Sequence, residues 1–564
     1  MQPLTRWKVL SPHQNGLDND LAVFPRVQQR MLSNRRIFDR DEGYLYLRQS
    51  GPLHSPFLLD GMQEAVDFIN RILLEKRKIA VYGDYDVDGV TASALLIQVL
   101  RKLGADVISY IPNRFEEGYG VNQEAIHHLQ SDGIALTITV DCGIRSPNEV
   151  SYAKSRGMEM IITDHHEPGD EIPDAIAVIC PRKPGDNYPY KHLAGVGLAF
   201  KLADALIKSH PEQKLDARDW LDLVAIGTVA DVVPLTGENR SLVKSGLDLL
   251  RKTDRPAIHA LSEVSQIYPA RINSRTIGFS FGPRLNAAGR LETADQAFRL
   301  MMSETISEAR LLAVELNDKN RQRQEVTRTI QAQAINDIGQ DPLPMVAASA
   351  HASYNRGVVG LAASKVAEHF YRPAIVGSID DGMIHASCRS IEEFNMIRAL
   401  DQCAELMMKY GGHAMAAGLT ISEENWPLLI ERMNALAEEE LEGIQLIPSI
   451  TAEMELTLDY LRQSLLDEIA EFEPFGAENR EPIFLIRNLT VVSSKLIGGG
   501  EHLSLKLKSN DSAFIDGVAF RQGNRQPELP EKIDVMGKFN KNVYRGQETL
   551  QLLIQDMRSA EAPA

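Results

Sequence analysis

A chain of 564 residues exceeds what one hydrophobic core can serve, because single cores stop growing near roughly 250–300 residues, so three or four domains are expected. Its 44% apolar and 24% charged residues, with no low-complexity tract and no apolar run long enough to span a bilayer, are those of an ordinary soluble protein. A net charge of −17 argues against a protein coated for duplex DNA, while a local basic groove stays open.

The opening stretch, MQPLTRWKVLSPHQNG, lacks the continuous apolar core of a signal peptide, so a cytoplasmic protein is expected. Residues 1–45 scatter Pro, Asn and Asp and read as an irregular N-terminal extension with no chemistry of its own. Cys142, Cys180, Cys388 and Cys403 are far apart and form no CxxC pair. Neither a zinc ribbon nor a disulfide framework is indicated, and free core thiols are expected.

From Lys78 to Asp231 short β-branched runs alternate with amphipathic helical ones, the pattern of a parallel α/β sheet. The candidate strands are KIAVYG, ADVISYI, ALTITV, MEMIIT and AIAVI. Between the first two, VTASALLIQVLRKLG repeats Leu96, Val99, Leu100 and Leu103 at helical spacing, with Gly104 placed as the cap. From about Thr305 to Asp337 the chain is free of Gly and Pro, and its middle, NDKNRQRQE, is polar on every face; such a helix bridges domains. A second α/β pattern follows, with PMVAASA and PAIVGSI as strands around the helical GLAASKVAEHF. The last segment, with IFLIRNLTVVSSKLI, HLSLKLK, FIDGVAF and TLQLLIQD, reads as a small β-barrel.

In an open parallel sheet, ligands sit beyond the carboxyl ends of the strands. Three strands here end in metal-type ligands. The first runs into GDYDVDG, with Asp84, Asp86 and Asp88 at alternate positions and Val87 expected in the core. The third ends TVDCG at Asp141, and the fourth ends ITDHHEPGD at Asp164, His165 and His166. Asp231 lies in IGTVADVVPL after a helical run. Two carboxylates roughly 4 Å apart repel by about 4 kcal/mol at an effective dielectric of about 20, so the crowding needs an offset. An EF-hand loop is disfavoured because position twelve from Asp84 is Leu95, not a glutamate. Mixed carboxylate and imidazole ligands suit Mn²⁺ or Mg²⁺, and a cluster this size can hold two ions roughly 3.5–4 Å apart, an arrangement suited to phosphoryl chemistry.

Taken together, GDYDVDG, TVDCG, TDHH, GTVADVVPL and GPRLNAAGRL resemble the RecJ exonucleases of the DHH phosphoesterase superfamily, over about residues 45–556. GVVGLAASK, ASCRSIEEFN and GGHAMAAGL resemble their DHHA1 domain, and the closing barrel resembles their OB-fold. The resemblance implies an N-terminal extension (1–45), a parallel-sheet α/β DHH catalytic domain (46–300), a long bridging helix (301–339), a smaller α/β DHHA1 domain (340–446) and a C-terminal OB-fold β-barrel (447–558) that binds nucleic acid. It implies removal of 5′-mononucleotides from the 5′ end of single-stranded DNA, in repair and recombination.

Carried over by motif, Asp86, Asp88, Asp141, His165 and Asp231 would hold two Mn²⁺ or Mg²⁺ ions, with Asp84 beside them. His166 would approach the scissile phosphate, and Asp164 would orient its histidine neighbours. Arg114, Arg290, Ser387 and Arg389 would hold phosphates, including the terminal 5′ phosphate, across the cleft between the two α/β domains, with His413 on the substrate side. The partners this implies are single-stranded DNA with a 5′ end, a single-strand-binding protein and a helicase, for a monomer with no membrane contact.

One departure is visible: Tyr354, Asn355 and Arg356 stand where a tryptophan and histidine are expected before GVVG. Two groups of residues carry two readings each. Lys319, Arg321, Arg323 and Arg328 either line the route of the strand or are solvated linker charges. Phe514, Phe520, Phe539 and Tyr544 either stack on bases or fill the barrel core. Two other functions compete. A phosphoesterase of short oligonucleotides or cyclic dinucleotides is disfavoured by the appended barrel, and a non-catalytic replication scaffold by the complete ligand set.

Overall fold

Lys78–Gly83 (β1) is apolar and buried from Ile79 onward, as a strand covered on both faces must be. The structure, a computed structural model, describes residues 1, 4–11, 19–48, 51–114, 117–118, 120–339, 342–509, 513–544 and 547–560. The chain divides into two units: residues 53–233 with 245–446, and residues 1–52 with 234–244 and 447–564.

In the first unit β1 is joined by Val107–Tyr110 (β2), Ile134–Val140 (β3), Glu159–Thr163 (β4) and Ala177–Ile179 (β5) in the order β2-β1-β3-β4-β5, every pairing parallel. The chain leaves β1 toward β2 on one side and later enters β3 on the other. A crevice therefore opens at the carboxyl ends of β1 and β3, the topological switch point. Val87–Lys102 (α1) follows β1 and packs against Gly195–Ser209 (α2) and Leu221–Ala230 (α3).

Gly282–Leu291 (α4) leads to Ile306–Ile338 (α5), the long helix expected from the sequence, capped by the Thr305 hydroxyl. It buries Ala309, Leu312, Ala313 and Leu316 in its first half and Ile330 and Ala334 in its second, with a polar middle between. Beyond it lie Ala347–His351 (β6), Val359–Phe370 (α6), Ala374–Asp380 (β7), Met383–Arg389 (β8), Lys409–Gly412 (β9) and Ala416–Ser422 (β10). Their sheet runs β9-β10-β8-β7-β6, with only β6 and β7 parallel.

In the second unit Phe484–Ile497, His502–Lys508, Phe514–Ala519, Lys532–Tyr544 and Gln547–Ser559 form a barrel, closed where the first strand pairs back onto the fourth. Alternate residues such as Leu503, Leu505 and Leu507 fill it. Where they are described, the first 45 residues are not the irregular lead-in that their composition suggests. Arg6–Val9 pairs in parallel with Ser449–Ala452, and the helices Arg26–Asn34 and Arg40–Arg48 put Met31, Leu32 and Leu47 in one core with Phe484 and Ile533. A four-residue strand carries too little periodicity to be read, and the apolar partners of the helices lie at the other end of the chain. Residues 12–18, part of the same lead-in, lie outside the described residues.

Candidate active site

The three aspartates of GDYDVDG are set by a strand-to-helix turn, not by strand alternation. β1 ends at Gly83, and Asp86 is the N-cap of α1, its Oδ1 accepting from Gly89 N at 3.1 Å. Val87 is buried as expected. The turn is tight: a Cβ at Gly89 would lie 2.4 Å from the Asp84 carbonyl oxygen. Asp88, in the first turn of α1, accepts from Gly195 N at 2.6 Å and Val196 N at 2.8 Å, the opening amides of α2, where the helix dipole favours a negative charge.

Asp141 follows β3 with φ +64° and abuts α2, since a Cβ at Gly195 would lie 2.6 Å from the Asp141 Cβ. Asp164 and His165 follow β4. Asp231 stands at the C-terminus of α3, and Val232 after it has φ +63°. A β-branched residue there is an outlier, so strained backbone adjoins Asp231.

His165 Nε2 lies 3.1 Å from Asp141 Oδ1, 3.6 Å from Asp231 Oδ2 and 3.9 Å from Asp88 Oδ2. Among the described residues three sets offer ligand atoms within 4.8 Å of one another: Asp84, Asp86 and Asp141; Asp88, His165 and Asp231; and Asp141, His165 and His166. Asp84 Oδ1, Asp141 Oδ1, Asp231 Oδ2 and His165 Nε2 are buried and make no hydrogen bond. Buried polar atoms without partners are rare, and this oxygen and nitrogen set fits divalent Mn²⁺ or Mg²⁺.

Burial, reinforced by neighbouring carboxylates, holds Asp84, Asp141 and Asp231 well above the usual carboxylate range and pushes Asp88 up to about 7. Burial and the adjacent His166 push His165 down to about 3. Asp164 is in none of these three sets. It accepts from Ile144 N at 2.9 Å, and its Oδ1 lies 2.7 Å from His166 Nδ1, so it orients His166 and not His165. Burial opposes charge on both partners, yet the bond outweighs it, lowering Asp164 and raising His166.

A carboxyl whose folded value is raised stabilises the fold below its unfolded value near 4, and that contribution is lost as pH rises through the folded value. For Asp88 this window runs from roughly 4 to about 7. Metal-free protein is expected to melt at a lower temperature at about pH 8 than at about pH 5.5, and Mn²⁺ to raise Tm by several degrees only at the higher pH. Calorimetry giving equal Mn²⁺ shifts at both would exclude the carboxylates as the coupled groups.

Beside these carboxylates a cleft of about 530 Å³ runs between the two sheets of this unit. Arg114, Arg145, Arg356 and Lys409 line it with Tyr85, His385 and Ser387, and among the described residues no carboxylate does. The Arg114 guanidinium lies 5.1 Å from the Tyr85 ring. Ser387 and Arg389 share one face of β8 and approach the start of α6, where a Cβ at Gly360 would lie 3.3 Å from Ser387 Oγ and 3.2 Å from Arg389 Nη2. Arg290, at the end of α4, is brought down to about 10 by burial and by Arg114 and Arg323. His413 is exposed in the turn joining β9 to β10 and does not line the cleft.

Sequence reasoning passed over Tyr85, Arg145, His385 and Lys409. Tyr85 is inside GDYDVDG, which was the available signal; the others lie on separate elements that only the fold brings together. Gly195→Ala is expected to displace Asp141 and lower metal affinity at least about tenfold while melting cooperatively. Titration calorimetry with Mn²⁺ checks this, and wild-type affinity would refute it.

On the barrel unit Phe539 is in the core, whereas Phe514 and Phe520 are 55% and 56% exposed. Lys506 and Lys508 hold their ammonium groups 5.7 and 5.4 Å from the Phe514 ring. The Tyr544 side chain lies outside the described residues.

Residues 78–228 match the DHH family N-terminal domain, residues 343–439 the DHHA1 domain and residues 452–556 the RecJ OB domain. The single-stranded-DNA-specific exonuclease RecJ of Bacillus subtilis is 39% identical over 99% of this chain and 71% of its own length. That of Escherichia coli is 36% identical, covering 95% of this chain and 96% of its own. The crystal structure of Thermus thermophilus RecJ in complex with Mn²⁺ aligns with TM-score 0.85 and 29% identity, over 99% of this chain and 80% of that one. The same enzyme with Mg²⁺ gives TM-score 0.79 at 28% identity, over 99% and 79%. Identity of this extent, carried through all three matched domains, means that the chain belongs to the RecJ family of single-stranded-DNA-specific exonucleases.

Proposed function

We propose that the protein hydrolyses single-stranded DNA from its 5′ end, releasing 5′-mononucleotides, in DNA repair and recombination. The observation that carries this is the convergence of orphaned carboxylate and imidazole atoms at the switch point beside a cleft lined by arginine and lysine. Asp86, Asp88, Asp141, His165 and Asp231 hold two Mn²⁺ or Mg²⁺ ions, with Asp84 adjoining. Such ions, when bound, activate water and neutralise charge gathering on phosphoryl oxygens.

The residues of the chain do the rest. The α2 amides fix both oxygens of Asp88. Asp164 holds the His166 ring by Nδ1 and favours its protonated form, so His166 can donate to an oxygen of the scissile phosphate. Arg114, Arg290, Ser387 and Arg389 bind phosphates of the strand, and Arg145, Arg356 and Lys409 extend that track along the cleft, whereas His413, outside its lining, takes no part in it. The cleft encloses about 530 Å³, room for a nucleotide-sized segment of the strand. An enzyme restricted to single strands would work with a helicase that opens duplex ends and a single-strand-binding protein that keeps them open.

The test is digestion of a 5′-phosphorylated, end-labelled single strand, a blunt duplex and a dinucleotide under titrated Mn²⁺ and Mg²⁺. Mononucleotides released from the 5′ end of the single strand are expected. Faster turnover of the dinucleotide would favour the small-substrate phosphoesterase, and release from the 3′ end would overturn the polarity.

A further inference from the structure

Arg323 lies in the polar middle of α5, among residues that serve a bridging helix as solvated charges. Its neighbours are paired: Lys319 with Glu292, and Arg321 with Asp318 at 3.6 Å. Arg323 differs. It is half-buried, its Nε is buried without a hydrogen bond, and no carboxylate of the described residues pairs with it. One turn earlier on the same face, Asn320 is 4% exposed and its Oδ1 is likewise buried without a partner.

The helix α4 is tied to this stretch of α5 by the Lys319–Glu292 pair and by Arg284 Nε donating to Asn317 Oδ1 at 3.2 Å. It carries Arg290 at its end, and at Gly289 it presses on Tyr85, whose carbonyl oxygen would be 2.8 Å from an added Cβ. Burial, with Arg114 and Arg323 as neighbouring cations, lowers the Arg290 guanidinium. Arg290 and Arg323 thus sit on two helices fastened to one another where α4 meets Tyr85 at the edge of the carboxylate centre, and neither is paired to a described carboxylate. Burying such charges without a counter-ion is destabilising, and the arrangement suits an anion.

We propose that Arg323 is a phosphate-binding residue: the bridging helix joins Arg290 and Arg114 in holding the backbone of the single strand next to the metal centre. This rests on the exonuclease reading above. Its physical signature is an opposition between stability and binding, because a group placed for a ligand burdens the free protein.

The experiment compares full-length wild type with Arg323→Met, Arg323→Lys and, as a control, Arg310→Met, whose residue pairs with Glu263 at the helix surface. Binding of a 5′-phosphorylated oligothymidylate is measured across a salt series without divalent metal, and kcat, KM and Tm are measured alongside. For Arg323→Met the slope of log K against log salt is expected to fall by about 0.7, one phosphate contact on a single strand. KM should rise about tenfold with a smaller change in kcat, and Tm should hold or increase. Arg323→Lys should recover most of the slope, and Arg310→Met should match wild type. If wild type binds and cleaves the strand while Arg323→Met keeps the wild-type slope and KM, the role is structural and the proposal falls alone. A wild type that binds no single strand overturns both.

Discussion

Replacement of Asp141 by alanine is expected to remove Mn²⁺-dependent cleavage of single-stranded DNA, lowering kcat by about a thousandfold or more, while the fold persists. Asp141 belongs to two of the three potential ligand sets, and its Oδ1 is 3.1 Å from His165 Nε2. Losing it opens both sets at once. Alanine keeps the Cβ that Gly195 accommodates, so no new clash arises. In metal-free protein the change deletes one member of a buried like-charge cluster, and Tm should hold or rise, the reverse of an ordinary core truncation. Asp141→Asn, which keeps shape but not charge, should bind Mn²⁺ far more weakly. Initial rates on a labelled oligonucleotide, with circular dichroism as the check on folding, decide the matter; cleavage at the wild-type rate would dismiss Asp141 from the centre.

Asp556→Ala is expected to act on stability alone, costing about 3–5 kcal/mol. This carboxylate, fully buried, accepts from Thr5 N at 2.9 Å, Thr5 Oγ1 at 2.7 Å, Trp7 Nε1 at 2.9 Å and Arg525 Nη1 at 2.9 Å. Its removal strands the buried Arg525 guanidinium and unfastens the strand Arg6–Val9 from the last strand of the barrel. Denaturant unfolding should show the loss, and limited proteolysis should cut within the first ten residues. An unaltered midpoint would mean that Arg525 finds another counter-charge.

The candidate site was legible where sheet topology dictates it. Asp84, Asp141 and His165 follow apolar runs that can only be buried parallel strands, and such strands deliver their loops to one crevice. Asp231 was not legible in this way, because it closes a helix; the motif alone pointed to it. The roles of the GDYDVDG aspartates differ through amides supplied by α2, which no local pattern announces. Arg356 was noticed as a departure, yet its place in the cleft depends on β8 and β9 arriving beside it. In the barrel, Phe539 and Phe514 look alike in sequence, and their opposite orientation depends on strand register.

The barrel unit is discontinuous in sequence, because residues 1–52 share it with residues 447–564. The helices that bury Met31 and Leu32 leave the ribosome first, but Phe484 and Ile533, which cover them, leave near the end. At ordinary translation speeds the wait is on the order of tens of seconds. A nascent or truncated chain that stops before residue 447 therefore carries an uncovered apolar N-terminal segment, a natural substrate for chaperones and proteases.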